Sequence, residues 1–477
     1  MELLLPILLG FLACLVGGLY LLGVFRQRRP GEPPLDKGLI PWLGHVLEFR
    51  RNTLKFLERM AKKHGEIFTV QLGGFYITFV QDPFSFGGFV KESRDKLDFR
   101  KVALHLAHRV FGYKAVEGER RILRISSNKH LKGEGLEEVT QAFMSNLQNM
   151  MLHNIGSAAE DRTWKEDGLF RYSYNVVFRA GYLALFGNVP HKSEQREHAA
   201  KHVTPGLIGE DQLFPRLAYG VLPPMEKLAA ERLKTYDRVK SIDMSMINRY
   251  MFVLLWASQS NIGPSSFWLL LFLMKHPEAM KAVKEEVDKV LKESGQEVRP
   301  GGPMVNLTRE MLLKTPILDS AVEENLRLTA APLLTRAVIK DMTFKMADGR
   351  EYLLRKGDRI AIFPFSSVQH DPEIHPEPHS FKYDRFLNPD GTKKTDFYKA
   401  GKKVKYYTMP WGSGVSMCPG RFFATSELKQ FVFLMLVYFE LELKNPDEKI
   451  PEIDLSRYGF GMMQPVRDVQ FRYRLRY

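Results

Sequence analysis

Cys418 is the residue best placed to do chemistry in this sequence, which contains only two cysteines. It follows a glycine-rich loop, 409–417, and precedes a helical pattern that runs from Arg421 to about Leu443. Pro419 suits the first turn of such a helix, where a missing N–H costs nothing. A thiol at this end of a helix meets the positive end of the dipole and unpaired N–H groups, which favour the thiolate.

A thiolate in such a loop can serve as the axial ligand of heme iron, to which sulfur donates electron density. Gly412 and Gly420 would let the backbone lie close against a flat group of this kind. The alternative is an inert, buried cysteine beside a loop, and an isolated cysteine does not exclude it. Other parts of the sequence must decide between the two.

A second feature is a polar stretch inside an apolar segment. Apolar residues fill nearly all of 252–274, which predicts a helix buried in a large core. Pro264 removes the hydrogen bond to the carbonyl of Ser260 and therefore predicts a kink. The kink would make a polar notch at Ser260 and Asn261 inside an apolar helix. The Asn261 amide can donate a hydrogen bond there, and neither side chain is an acid. A kink that serves packing alone is the alternative.

Three short motifs accompany these features: Glu324-Asn-Leu-Arg327, Phe381-x-x-x-Arg385-Phe386 and Gly414-x-x-x-Cys418-x-Gly420. In order and spacing they resemble the motifs of the cytochrome P-450 superfamily of heme-thiolate monooxygenases, and the similarity extends through nearly the whole chain. The resemblance implies a mainly α fold with small β-sheets, heme b as cofactor and Cys418 as the axial ligand of its iron. Within the superfamily the sequence is most similar to a branch of sterol hydroxylases that also contains an endoperoxide isomerase.

The resemblance also implies roles around the heme. Asn261 and Ser260 stand where the superfamily usually has a threonine and an acid, so their notch would hold dioxygen and an ordered water, and protons would arrive through water. Glu324 and Arg327, three residues apart on one helix face, would join Arg385 in a buried triad behind the heme. Arg336 and Lys132 would bind the heme propionates, Lys132 as a point charge rather than a fork. Here the sequence departs from the superfamily, since Ser416 stands where a second cation is usual and Trp411 where phenylalanine is usual. The indole N–H of Trp411 would donate near the sulfur or a propionate.

Two apolar stretches, 330–334 and 459–464, would line a chamber suited to a rigid, mostly hydrocarbon substrate. The predicted pocket residues are Trp256, Ala257, Leu333, Phe460 and Met462. Further upstream, 53–64 predicts an amphipathic helix, and 67–70 with 76–80 around Gly73-Gly74 predicts a hairpin near the pocket mouth. We expect an irregular segment at 97–114, which the resemblance places over the substrate. The segment 214–251 is several helical turns shorter than the family pattern.

Composition and the N-terminus bear on partners and location. The net charge is +14, which suits an anionic membrane, an acidic protein or nucleic acid, but no nucleic-acid motif is present. An uncharged apolar run, 3–25, is long enough to span a bilayer and is followed by Arg26, Arg28 and Arg29. By the positive-inside rule the body would remain cytosolic. We predict a transmembrane anchor at 1–25, a proline-rich linker at 26–37 and a catalytic domain at 38–477, held in the endoplasmic reticulum membrane. A cleaved signal peptide is the alternative.

Three functions are compatible with these observations. The first is a monooxygenase that inserts one oxygen atom into a sterol C–H bond, with electrons from NADPH through a flavoprotein reductase. Six lysines before the cysteine loop would dock that acidic partner, namely Lys393, Lys394, Lys399, Lys402, Lys403 and Lys405. The second is an endoperoxide isomerase, which needs neither electrons nor dioxygen. The third is a non-catalytic heme binder, which the short segment 214–251 favours and Asn261 with Pro264 opposes.

Overall fold

The computed structural model describes residues 4–21, 25–115, 125, 128–153, 163–186, 246–299 and 302–476. Most of the short segment 214–251 lies outside these residues. Within them, helices predominate and the strands form small sheets. The helices are α1 (Leu4–Leu21), α2 (Val46–Arg51), α3 (Thr53–His64), α4 (Phe86–Lys91), α5 (Phe99–Phe111), α6 (Gly133–His153), α7 (Leu169–Phe186), α8 (Met246–Gln259), α9 (Ile262–Lys275), α10 (Pro277–Glu293), α11 (Arg309–Leu313), α12 (Pro316–Thr329) and α13 (Arg421–Tyr438).

The largest described sheet has six strands in the order β1-β2-β3-β9-β6-β4. Its members are β1 (Leu35–Asp36), β2 (Ile67–Leu72), β3 (Phe75–Val80), β4 (Leu97–Asp98), β6 (Leu334–Val338) and β9 (Arg359–Ile362). A three-stranded sheet contains β5 (Lys165–Gly168), β12 (Phe439–Leu443) and β13 (Gln470–Leu475). Two-stranded pairs are formed by β7 (Met342–Lys345) with β8 (Glu351–Leu354), and by β10 (Tyr398–Lys399) with β11 (Lys402–Lys403).

Helix α9 is the centre of the larger core. Every residue from Ile262 to Leu273 is buried, because α9 packs against α7, α12 and α13 rather than facing solvent on one side. Trp268 donates its indole N–H to the carbonyl of Met463 at 2.8 Å, so even its one polar atom is satisfied. A helix that is apolar on all sides is stable only in such a position. The prediction of a buried helix over 252–274 is therefore confirmed for Ile262–Leu273, whereas α8 before it has exposed residues, Leu254 and Ala257.

The β2–β3 hairpin positions the second core region. Gly73 and Gly74 both have positive φ, 57° and 79°, which is the conformation that a tight turn between twisted strands requires. The strands pair in antiparallel register from Ile67 with Val80 to Leu72 with Phe75. The predicted hairpin is confirmed, as is the helix at 53–64, where Asn52 accepts a hydrogen bond from Lys55 N–H as the N-cap.

One predicted segment type and one predicted helix end are wrong. The segment 97–114 contains a helix, α5, because Asp98 caps its start by accepting from Arg100 N–H and Gly112 ends it in the left-handed region. The helix after Cys418 ends at Tyr438 rather than near Leu443. There the alternating sequence Phe-Glu-Leu-Glu-Leu pairs with β13 as strand β12.

The proline-rich segment after α1 contacts the folded domain. Arg26 forms an ion pair with Asp358 and lies 4.4 Å from the ring centroid of Tyr76, and Arg355 pairs with Glu32. These charges hold the segment against the six-stranded sheet. Among the described helices, α1 included, none combines the length and the apolarity needed to cross a membrane.

Prediction: stability should fall as the pH drops below 6.5, in part because of His375. This side chain is buried, donates from Nε2 to the carbonyl of Tyr407 at 2.7 Å, and its Nδ1 has no hydrogen-bond partner among the described residues. Burial lowers its pKa from 6.5 to about 3. Between these values the unfolded chain binds a proton that the folded chain does not, so stability is lost as the pH falls through this window.

The expected loss is about 1.4 kcal/mol per pH unit from this residue. Urea unfolding of the wild type and His375→Gln at several pH values between 6.5 and 4 measures it, and the variant should show the shallower dependence. Equal slopes would contradict the prediction.

Candidate functional site

The loop around Cys418 folds back on itself. Cys418 N–H donates to the carbonyl of Trp411 at 2.8 Å, and Ser416 N–H donates to the carbonyl of Ser413 at 3.2 Å. Gly412 takes φ of 76°, where L side chains are strained, so the loop needs glycine at this position. Gly420 immediately precedes α13, and a Cβ built there would meet nothing within 4 Å. The loop thus presents Cys418 one turn before a long buried helix.

The protein alone does not favour the Cys418 thiolate. Burial raises the pKa of the Cys418 thiol above its ordinary value, although the backbone N–H of Gly420 and the Arg421 guanidinium and N–H act in the opposite direction. The groups at the helix start do lower the pKa of the thiol, as expected. Burial raises it by more, so the net effect is against the thiolate. Deprotonation requires a stronger positive charge, such as a metal ion that binds the sulfur.

Arg336 is a buried cation beside this loop. Its guanidinium donates to the carbonyls of Phe89 and Ser413, the latter at 3.3 Å, and stacks 4.4 Å from the ring centroid of Phe89. No carboxylate of the described residues lies within ion-pair distance of it, and Asp98 acts on it only over a longer range. A buried cation of this kind favours an anionic partner, since uncompensated charge is costly away from water.

The other predicted propionate contact is not brought to the loop. Lys132 is exposed, and its ammonium group donates to Asn128 Oδ1 at 3.0 Å rather than to any residue of the Cys418 loop. Trp411 is half-buried and packs against the larger core. Arg94, which the sequence analysis did not identify, donates to the carbonyl of Val415 at 2.7 Å, next to Ser416. Arg94 thus brings a positive charge close to Ser416, which stands where the superfamily usually has a cation.

Glu324, Arg327 and Arg385 do lie together. The Glu324 carboxylate accepts two hydrogen bonds from Arg327, at 2.7 and 2.9 Å, and both of its oxygens accept from Arg385 Nε at 2.9 Å. The side chains of Glu324 and Arg327 are 0% exposed. Other N–H donors of Arg327 bind the carbonyls of Gln369 and Pro378, and those of Arg385 bind the carbonyls of Pro376 and Ser380, all in the segment before the cysteine loop.

The polar notch lies where the helix is interrupted. Helix α8 ends at Gln259 and α9 begins at Ile262, so Ser260 and Asn261 form the break that Pro264 predicts. The Ser260 side chain is 1% exposed, and its hydroxyl has no hydrogen-bond partner among the described residues. Asn261 Oδ1 accepts from Met462 N–H at 3.0 Å, which directs the Nδ2 donors of the amide elsewhere.

The two predicted substrate walls run side by side. Ala331 N–H donates to the carbonyl of Gly461 and Gly459 N–H to that of Ala331, both at 2.8 Å, while Leu333 N–H reaches the carbonyl of Gly459 at 3.1 Å. Met462, in this second wall, also binds Asn261. The walls and the notch are therefore parts of one hydrogen-bonded unit. The sequence around Phe460 did not indicate this connection.

The last two predicted pocket residues precede the break on α8. Trp256 is half-buried, and its ring lies 5.6 Å from that of Phe111 at the end of α5. Ala257 is exposed. Helix α5 thus extends over α8 next to the notch.

The residues present fit a heme group. The loop offers a sulfur donor at Cys418 with glycine backbone on both sides, and the buried guanidinium of Arg336 beside it lacks a carboxylate partner among the described residues. These features match the two parts of the cofactor that bind protein groups. The iron at its centre binds a thiolate, and the carboxylates at its edge bind arginine.

Comparison with known proteins agrees with this chemistry. The sequence profile of the family described as Cytochrome P450 matches residues 221–471. The chain is 48% identical to the 5-beta-cholestane-3-alpha,7-alpha-diol 12-alpha-hydroxylase of Sus scrofa, over 99% of this chain and 98% of the relative. It is also 48% identical to the 7-alpha-hydroxycholest-4-en-3-one 12-alpha-hydroxylase of Homo sapiens, over 98% of both. Identity to prostacyclin synthase of Homo sapiens is 44%, over 94% of this chain and 95% of that protein.

Prediction: Glu324→Ala should lower the free energy of unfolding by about 3–5 kcal/mol, since it leaves two buried guanidinium groups without their carboxylate. Glu323→Ala is the matched control. The Glu323 carboxylate is next to Glu324 in the sequence but pairs with the half-exposed Lys393, so its loss should cost about 1 kcal/mol or less. Urea unfolding of both variants measures the difference. Similar losses for the two variants would show that the buried triad contributes no more to stability than a surface ion pair.

Proposed function

The chain belongs to the cytochrome P450 family, and we propose that it is a sterol 12α-hydroxylase. The reaction inserts one oxygen atom from dioxygen into 7α-hydroxycholest-4-en-3-one, a step of bile-acid synthesis toward cholic acid. The observation that carries the proposal is the 48% identity to 12α-hydroxylases along almost the full length of each chain. The apolar walls at 330–334 and 459–464 are compatible with a rigid hydrocarbon substrate.

Cys418 and Arg336 would hold the heme, Cys418 through the iron and Arg336 through a propionate. Gly412 and Gly420 would leave room for its ring, and Trp411 would tune it through the indole N–H. The superfamily resemblance also assigned Lys132 to a propionate. Because Lys132 is exposed and binds Asn128, we assign the carboxylate contact to Arg336 alone. When bound, the heme supplies the activation of dioxygen that C–H oxidation requires.

Asn261 and Ser260 would control hydrogen bonding in the notch. Met462 N–H occupies Oδ1 of Asn261, so its Nδ2 is free to donate a hydrogen bond to dioxygen. The buried Ser260 hydroxyl can hold a water molecule that passes protons inward, because neither side chain is an acid. Trp256 and Leu333 would exclude bulk water from the chamber, together with Phe460 and Met462, whereas the exposed Ala257 would not.

Electrons would come from NADPH through a flavoprotein reductase that docks beside Cys418. Three of the six loop lysines are already paired, Lys393 with Glu323, Lys399 with Asp371 and Lys403 with Asp396. The face next to the thiol instead combines exposed apolar side chains, Val415, Met417 and Phe422, with the cations of Arg94 and Arg421. Apolar contact with surrounding positive charge suits an acidic partner that binds transiently.

We further propose that 1–25 anchors the protein in the endoplasmic reticulum membrane, with the catalytic domain at 38–477 in the cytosol. The segment 26–37 would then act less as a free linker than as a fixed arm. Arg26, Glu32, Arg355 and Asp358 hold it against the domain, which would limit how the domain tilts on the membrane.

A second candidate is an endoperoxide isomerase, which the 44% identity to prostacyclin synthase supports. The loop sequence Trp-Gly-Ser-Gly with Cys418-Pro-Gly favours the hydroxylase. The two candidates differ in chemistry, because isomerisation consumes neither dioxygen nor electrons.

Prediction: the purified protein with a membrane reductase and NADPH should convert 7α-hydroxycholest-4-en-3-one to its 12α-hydroxylated product. Omitting NADPH should abolish the conversion. A parallel incubation with a prostaglandin endoperoxide and no reductant should give no isomerised product. Product analysis by mass spectrometry decides, and endoperoxide turnover without sterol turnover would refute the hydroxylase.

Prediction: Gly461→Ala should lower the amount of product formed per NADPH consumed about tenfold. This corresponds to a rise of about 1.4 kcal/mol in the activation free energy of the productive step. Gly461 has φ of 106°, and a Cβ there would lie 2.5 Å from Asn261 Oδ1, which displaces the amide. The diverted electrons should appear as hydrogen peroxide.

The matched control is Gly349→Ala, another glycine at positive φ, whose Cβ would meet nothing within 4 Å. It should leave the ratio of product to NADPH unchanged. If both variants couple as well as the wild type, Met462 does not orient Asn261.

A further inference from the structure

Arg359 begins strand β9 at the end of an apolar sheet face. Alternate residues of a strand share a face, so Arg359 stands in the row that continues with Ala361 and Phe363. Ala361 and Phe363 are fully buried in one core region. Ala331 belongs to the same region and Leu333 packs against it, which places both substrate-wall residues on this side of the sheet.

The Arg359 guanidinium has an aromatic contact but no anionic one. It lies 3.6 Å from the ring centroid of Phe75, at the start of β3. Among the described residues it forms no ion pair and no side-chain hydrogen bond. Burial lowers its pKa from 12.5 to about 10, and no carboxylate opposes that effect. Arg26 and Arg355, by contrast, each have a carboxylate partner.

Further cations surround the same position. The ring of His105, on α5, lies 5.5 Å from that of Phe75 in an edge-to-face arrangement. Arg359, Arg109 and His108 all lower the pKa of His105 by charge repulsion, after burial itself. Since α5 packs against β6, these groups place positive charge between the hairpin and α5, where His105 and His108 are exposed.

We propose that Arg359, with Phe75 and His105, is a binding site for the anionic head of an amphipathic ligand whose apolar body lies along the sheet face toward Ala331 and Leu333. A planar guanidinium fixed over an aromatic ring presents its donors in the fork that carboxylate and phosphate accept. The apolar row from Ala361 to Phe363 provides the surface for a hydrocarbon. The class of ligand is therefore a steroid or fatty carboxylate, or a lipid phosphate.

This site goes beyond the proposed reaction, whose sterol substrate is neutral. A neutral carbonyl can accept a hydrogen bond from Arg359 but leaves its charge uncompensated. An anion compensates the charge, and so should bind more tightly than its neutral counterpart. The proposal concerns binding and not turnover, so it stands or falls independently of the position of hydroxylation.

Equilibrium dialysis of the full-length holoenzyme tests the site with a matched pair of ligands, 3α,7α-dihydroxy-5β-cholan-24-oate and its methyl ester. The wild type should bind the carboxylate at least tenfold more tightly than the ester. Arg359→Gln should reduce this preference to less than twofold, and Arg359→Lys should retain part of it. Arg350→Gln removes one charge from an exposed arginine that pairs with Glu66 and Asp348, and it should keep the full preference.

A second arm uses lysophosphatidate and the uncharged monoacylglycerol with the same acyl chain. A preference for lysophosphatidate that depends on Arg359 identifies phosphate as a ligand head, and a preference for the steroid acid alone identifies carboxylate. Each variant is checked for its ferrous carbonyl spectrum, so that loss of the fold is recognised. Equal binding of charged and neutral ligands to the wild type, or a preference that survives in Arg359→Gln, would overturn the proposal.

Discussion

The Glu324 carboxylate is the interaction on which the rest of the site depends. It holds two guanidinium groups where water does not reach, and each of those groups in turn binds carbonyls of 369–380. A charge in such a place is stable only while all of its partners are present. The triad therefore ties α12 to the irregular segment that leads to Cys418. We propose that its role is structural, to hold the segment that carries the cysteine loop.

A second constraint is the interrupted helix. Pro264 cannot donate to the Ser260 carbonyl, so α8 and α9 separate and two polar residues are left inside an apolar core. The hydrogen bond from Met462 N–H to Asn261 makes the break part of the substrate wall. A change in that wall can then reach Asn261, the residue that we propose handles oxygen, through this one hydrogen bond.

Charge is distributed unevenly over this basic protein. Many surface cations pair with carboxylates, as Lys393, Lys399 and Lys403 do near the cysteine loop. Two enclosed guanidinium groups, Arg336 and Arg359, have no carboxylate within ion-pair distance among the described residues. One lies beside Cys418 and the other near the pocket mouth. An enclosed cation of this kind favours an anion from outside the chain, and we propose a propionate for Arg336 and a ligand head for Arg359.

The sequence by itself determined the parts that depend on local chemistry. Pro264 predicted the helix break, Gly73-Gly74 the hairpin, and the motifs around Glu324, Arg385 and Cys418 the family and its cofactor, because each effect arises within a few residues or from a fixed spacing. Contacts between distant segments were decided only by the tertiary structure. The strand at 439–443, the exposed position of Lys132, and the neighbours of Asn261 and Arg359 all depend on which segments meet in space. Hydrogen bonds and burial act over a few ångströms, and spacing along the chain does not specify which residues lie that close.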